Sequence, residues 1–291
     1  MNRTTIRGGF TLVELLVILA IAGVLSALVL LSSTSTRCGS RQLKDSTQVR
    51  GLHQGFVSWA QNNNDQFPLP STLDVNNTTV ADMGTAKDHT ANIFSPLVFN
   101  GTISVELLIS PAEASGKIRL YDAYEFENPR TAVIPAKALW DPGLRADFTS
   151  ADGGHISYAH MIPSGARMPN WTNSSTTANA GAAIMGNRGP QIASVTQRSR
   201  GTVDTKLANP ESCTLLIHGS RNKWEGNIVF NDNHVEFVTS LKAGTYTDTR
   251  GVQRDDILFF NEPDDPKGTN NFLGVFNKAG PVPSAFQSIW D

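Results

Sequence analysis

Charge is scarce at the start of this chain. Between Arg7 and Arg37 there is no Lys or Arg, and from residue 10 to residue 31 the one ionisable side chain is Glu14. Cysteine is almost as rare. Cys38 and Cys213 are the only two and make no Cys-x-x-Cys pair, so a zinc site of that kind has no support. The six histidines include no pair four apart with a Glu between them, which removes zincin chemistry. There is no Gly-x-x-x-x-Gly-Lys phosphate loop and no Gly-x-Ser-x-Gly nucleophile elbow. If the chain is an assembly subunit, another protein must supply any ATP-driven work. A net charge of −2 with no basic stripe argues against nucleic acid as a partner.

What is present begins at residue 10. The run FTLVELLVILAIAGVLSALVLL fills residues 10–31, about 33 Å of helix at 1.5 Å per residue, enough to cross the hydrocarbon core of a bilayer. Arg3 and Arg7 precede it, and the positive-inside bias places Met1 in the cytoplasm and the remainder outside. The small residues Gly8 and Gly9 lie before the apolar run, whereas a secretory signal is cut after its apolar core. Cleavage between Gly9 and Phe10 would leave the apolar helix on the mature chain and give Phe10 a charged α-amine. Glu14 stands one helical turn away, in a place where a lone carboxylate costs about 2.5–3.5 kcal/mol at mid-span and less near the end. A plain uncleaved anchor is the competing reading, and it leaves that carboxylate without a purpose.

Gly9, then Phe10, Thr11, Leu12, Val13 and Glu14, then an apolar helix containing Gly23, resemble the start of the type IV pilin and type II secretion pseudopilin family. The polar turn Asn62-Asn63-Asn64-Asp65 with Phe67-Pro68 is similar to the major, G-type class. The resemblance implies cleavage after Gly9 by a prepilin peptidase/methyltransferase, N-methylation of Phe10, and assembly into a filament through residues 10–31. It gives Glu14 the role of pairing with the Phe10 amine of an adjacent subunit. It also implies a single-pass protein of the bacterial inner membrane with its body periplasmic or extracellular, served by an inner-membrane assembly platform with a separate ATPase. Leu31 departs from the family, which often has proline there.

The expected fold is α+β and pilin-like: a long N-terminal helix, its first half transmembrane, packed on a small antiparallel sheet with variable loops. Residues 1–9 form the leader, 10–31 the assembly helix, 32–64 its soluble continuation, and 65–291 the globular domain. Leu43, Val49, Leu52, Phe56, Trp59 and Ala60 carry a helical period and are expected in the core. Residues 156–161 read as a strand, 213–217 as strand-like with Cys213 a buried free thiol in preference to a disulfide with Cys38, and 164–190 as a long surface loop poor in charge. Residues 226–239 read as a hairpin turning at Asn231-Asp232-Asn233. That hairpin is similar, loosely, to the end of a pilin-like family marked by His, nine residues, then Asp-Gly. Asp232 matches, but Asn222 stands for the His and Asn233 for the Gly.

For metals, the acidic residues Asp255, Asp256, Asp264 and Asp265 are the candidate calcium ligands, since Ca²⁺ takes oxygen donors from loops. The G-type resemblance implies a calcium site in a C-terminal loop, while a solvated acidic loop is the competing reading. No residue is singled out as catalytic and no cofactor is required. The function expected is a structural pilin or pseudopilin, not an enzyme. The alternative is a membrane-anchored extracytoplasmic enzyme or glycan-binding adhesin, for which Asp141, Asp147 and Asp152 are acids near turns and nothing more.

Overall fold

A computed structural model describes residues 11–173, 179–197, 203–265 and 267–291, with side chains between 24 and 38 left aside. The chain divides into two units, Met1–Leu43 and Lys44–Asp291. Helix α1 (Leu12–Gln61) contributes residues to both. In the first unit every described large apolar side chain from Leu12 to Ile21 is at least 50% exposed.

The membrane-spanning anchor expected over 10–31 is not found among the described residues; residue 10 and the side chains of 24–31 lie outside them. Among the described residues no helix is long and apolar enough to cross a membrane. The single-pass inner-membrane placement, with a cytoplasmic N-terminus and a periplasmic or extracellular body, rested on that anchor and is withdrawn. The α+β pilin-like fold class is corrected too. The chain is mixed α/β around a five-stranded antiparallel sheet, and the large apolar side chains described at its start, Leu12 to Ile21, are exposed rather than packed on that sheet.

The second unit opens on the last turns of α1. Val49, Leu52, Phe56 and Ala60 recur at three- and four-residue steps and are fully buried. Leu43, expected with them, is 70% exposed because it lies off this face. Gly55 earns its place: a Cβ there would overlap the Cγ2 of Ile103. The helix closes on the polar turn anticipated from sequence, where Asn64 and Asp65 take φ of 53° and 58°, a region Asn and Asp tolerate. Short helix α2 (Pro70–Leu73) and the buried helix α3 (Thr90–Phe99) follow. The helical period of α3 is hidden in sequence, since it is apolar nearly all round and carries Pro96.

The strands in chain order are β1 (Tyr158–Met161), β2 (Ala183–Asn187), β3 (Ile192–Gln197), β4 (Val203–Leu207), β5 (Gly226–Phe230), β6 (Val235–Val238), β7 (Lys242–Thr247), β8 (Gln253–Ile257), β9 (Leu273–Gly274), β10 (Phe276–Lys278) and β11 (Gln287–Ser288). The main sheet has the order β6-β5-β2-β1-β9, with every pairing antiparallel. Three two-stranded ribbons, β3-β4, β7-β8 and β10-β11, complete the unit. The hairpin expected over 226–239 is β5-β6, and Asn233 supplies the left-handed residue of its turn at φ 68°.

Two readings of the middle are overturned. The stretch 164–190 is not a surface loop throughout: it holds β2, the central strand, with all five residues buried. Residues 174–178 of that stretch lie outside the described residues. Small residues let β2 sit between neighbours, for a Cβ on Gly186 would overlap the Ile228 side chain of β5. Low hydrophobicity here reflects close packing rather than a lack of it. Residues 213–217 are not a strand either. Cys213–Leu216 is a 3-10 turn capped by Ser212. Cys213 is free, as expected, but half-buried rather than buried.

The core beneath the sheet is aromatic. Phe56 of α1 meets Phe67, Phe94 and Trp171 edge-on at 5.4–5.8 Å between centroids, a geometry that matches ring edges to ring faces. Trp140, Trp171 and Trp224 are buried and serve packing.

Candidate functional site

Gly9 and Phe10, the expected cleavage pair, lie outside the described residues. Glu14 is described, and its setting has a cause in local sequence. Thr11 precedes the first residue of α1, and its backbone N–H and Oγ1 both donate to Glu14 Oε2 at 2.8 Å. The Glu14 N–H donates back to Thr11 Oγ1 at 3.3 Å. This Thr-x-x-Glu reciprocity is a capping box: each side chain satisfies a backbone donor that the first helical turn leaves without a partner. The pattern is legible in Thr11-Leu12-Val13-Glu14. Glu14 thus starts the helix, and its carboxylate points back toward the residue where Phe10 joins the chain. Directly after it comes the exposed apolar surface of Leu12 to Ile21, with no polar face to set against the apolar one.

In the second unit, the first buried residue of α1 is not apolar but Asp45. Its Oδ1 accepts from Ser110 Oγ at 2.5 Å and Tyr158 Oη at 2.8 Å. Its Oδ2 accepts from Asn227 Nδ2 at 2.6 Å and faces His218 Nε2 at 2.9 Å. Burial opposes ionisation, yet the hydrogen bonds from His218, Ser110 and Asn227 outweigh it and hold the Asp45 carboxyl below its ordinary value. Gln48, one turn on, donates to the Leu107 carbonyl at 2.9 Å. His53 joins the helix to the hairpin turn through Asn233 Oδ1 at 3.0 Å. Ser, His and Asp are together, but the serine hydroxyl is bound to the carboxylate rather than to the imidazole. The arrangement positions no base on that hydroxyl and clamps α1 to β1 and β5 instead. The signal for it was present: Asp45 continues the period of Val49, Leu52 and Phe56, so a polar residue stood on the core face.

The four calcium candidates are spread over separate protein partners. Asp255 pairs with Lys242 across β7-β8, and its Oδ2 is buried without a hydrogen bond. Asp256 accepts from the Asn271 backbone and side-chain amides at 2.9 Å. Asp264 accepts from Tyr246 Oη at 2.6 Å. Asp265 caps its own loop, accepting from the N–H groups of Lys267 and Asn270 at 3.0 and 2.9 Å. Among the described residues no group of three or more His, Cys, Asp or Glu could hold a metal ion.

Glu262, which belongs to the same acidic stretch as Asp264 and Asp265 but is not among the four candidates, lies buried beside Asp256. Burial, then the Asp256 charge, raises its carboxyl to about 8, and burial raises Asp256 to about 6. Arg167 closes this polar pocket with bonds to the Asn270 carbonyl at 2.9 Å and to Asn261 at 2.8 Å. Two further buried clusters were not legible in the sequence: Lys87 with Asp74 at 2.8 Å, and Arg188 between Glu113 and Asp291 at 2.6 and 2.8 Å. Of the acids near turns, Asp141 and Asp147 bind nearby backbone amides and Asp152 pairs with Arg145 at 2.8 Å.

Comparison with family models, with curated proteins and with solved structures finds no match to this chain.

Proposed function

We propose that the chain is a structural filament subunit of the pilin or pseudopilin kind, serving a pseudopilus or pilus of type II-like protein secretion. In this reading a prepilin peptidase cuts between Gly9 and Phe10 and methylates the new Phe10 amine. Copies then associate through the helix that follows, with Glu14 meeting the Phe10 amine of a neighbour. A separate ATPase and its assembly platform supply the work.

The observation that carries the reading is the exposed apolar helix from Leu12 to Ile21. Each such side chain gains about 1.5–3 kcal/mol when fully buried. A helix apolar on every side needs neighbours on every side, and a bundle of identical helices meets that need. The capping box supports the same reading, because it fixes a carboxylate within the first turn after the Gly9-Phe10 junction.

Intact-mass and N-terminal analysis of the chain from its native source tests the proposal, with a start at N-methylated Phe10 expected. Filaments built from chains that keep residues 1–9 overturn it. Glu14→Ala is expected to cut filament yield about tenfold or more, since a hydrogen bond to a charged group is worth about 1.5–3 kcal/mol. The unfolding midpoint of the body should not move.

A further inference from the structure

Between the turn at 101–106 and the segment 120–126 runs a groove of about 510 Å³, within the size range of small-ligand sites. Tyr121, Tyr124 and Phe126 line it, together with the carboxylates of Glu106 and Asp122 and the side chain of Leu120. No Lys or Arg lines it. We propose that this groove binds an organic cation with an alkylammonium head.

The rings form a continuous series. Tyr121 and Tyr124 lie 6.0 Å apart at 77°, and Tyr124 and Phe126 lie 4.8 Å apart at 54°. Two of them are held in place from behind. The Tyr124 hydroxyl donates to the Ser95 carbonyl at 2.8 Å, and the Tyr121 ring stacks on His155 at 4.5 Å. Phe126 is 53% exposed. Ring faces carry the negative part of the aromatic quadrupole and attract cations. The carboxylates add charge of the same sign; a hydrogen bond from Ser104 holds Glu106 below its ordinary value, so it is ionised at neutral pH. Both features favour a cation and repel an anion. An alkylammonium also presents the C–H surface that Phe126 and Leu120 are suited to contact.

Calorimetric titration of the full chain with choline tests the proposal, beside choline's neutral isostere with carbon in place of nitrogen. Saturable binding of choline, weaker in high salt, with little binding of the isostere, is the expected result. Phe126→Ala should weaken it about threefold, and the pair Glu106→Gln with Asp122→Asn about fivefold. All three positions are exposed, so thermal unfolding should confirm an intact body. A lysine amide blocked at its α-amine forms a second arm. Tighter binding of it than of choline assigns the cation to a peptide side chain; weaker binding assigns it to a free amine. Absence of saturable heat with both cations, or equal binding of the neutral isostere, overturns the proposal. Neither result bears on filament assembly, which is measured separately.

Discussion

Along α1, Phe56 is fully buried while Leu12 is 78% exposed. The difference lies in how the apolar residues are arranged, not in how apolar they are. Over 49–60 they occupy one stripe, and Arg50 and Gln54 look outward, so the stripe can be covered from one side. Over 12–21 they surround the helix, and no one-sided contact within a chain can cover them. One arrangement is covered by the fold, and the other is left exposed.

Variants can break this contrast. The largest expected effects lie in the buried half. Phe56→Ala should cost the body about 3–5 kcal/mol, since it opens a cavity among Phe67, Phe94 and Trp171. Urea unfolding measures it, and a loss under about 1 kcal/mol would mean that the aromatic cluster repacks. Asp45→Ala should cost a comparable 3–5 kcal/mol, because Ser110, Tyr158, Asn227 and His218 lose their shared acceptor. As the folded-state value of Asp45 is lowered, its contribution should also fade as pH drops below the ordinary aspartate range.

Glu262 runs the other way. Its folded value is raised to about 8, so the stability it contributes is complete below its ordinary value and lost as pH rises through 8. Wild-type stability should therefore decline between about pH 4.5 and 8, and Glu262→Gln should flatten that decline. An unchanged pH profile in the variant would remove Glu262 as the cause. Smaller still is the start of the helix. Thr11→Ala should weaken the first turn by about 1 kcal/mol, seen as faster amide exchange near Leu12 with no shift in the body's unfolding. Smallest of all, Leu16→Ser should change body stability by under about 0.5 kcal/mol while reducing self-association in sedimentation. Association that survives it unchanged would break the contrast.

How legible all this was depended on the range of the interaction. The stripe of Val49, Leu52 and Phe56, the polar turn after Gln61 and the β5-β6 hairpin were readable, because spacing and turn chemistry are properties of neighbours in sequence. The capping box was equally local and was passed over. Strand β2 was misread, since the smallness of Gly186 has meaning only against Ile228. The anchor expected from the apolar run is not found: among the described residues no helix is long and apolar enough to cross a membrane.

The sequence alone determined the apolar start, the Gly9-Phe10 junction and the helix that follows, since each is written in adjacent residues. Only the tertiary structure decided which charges became buried clamps. Asp45 meets Tyr158 and Asn227 from strands far along the chain, Arg188 meets Glu113 and Asp291, and Glu262 takes its raised carboxyl from Asp256. The physical reason is that burial and electrostatics act through space, at distances of a few ångströms that chain position does not encode.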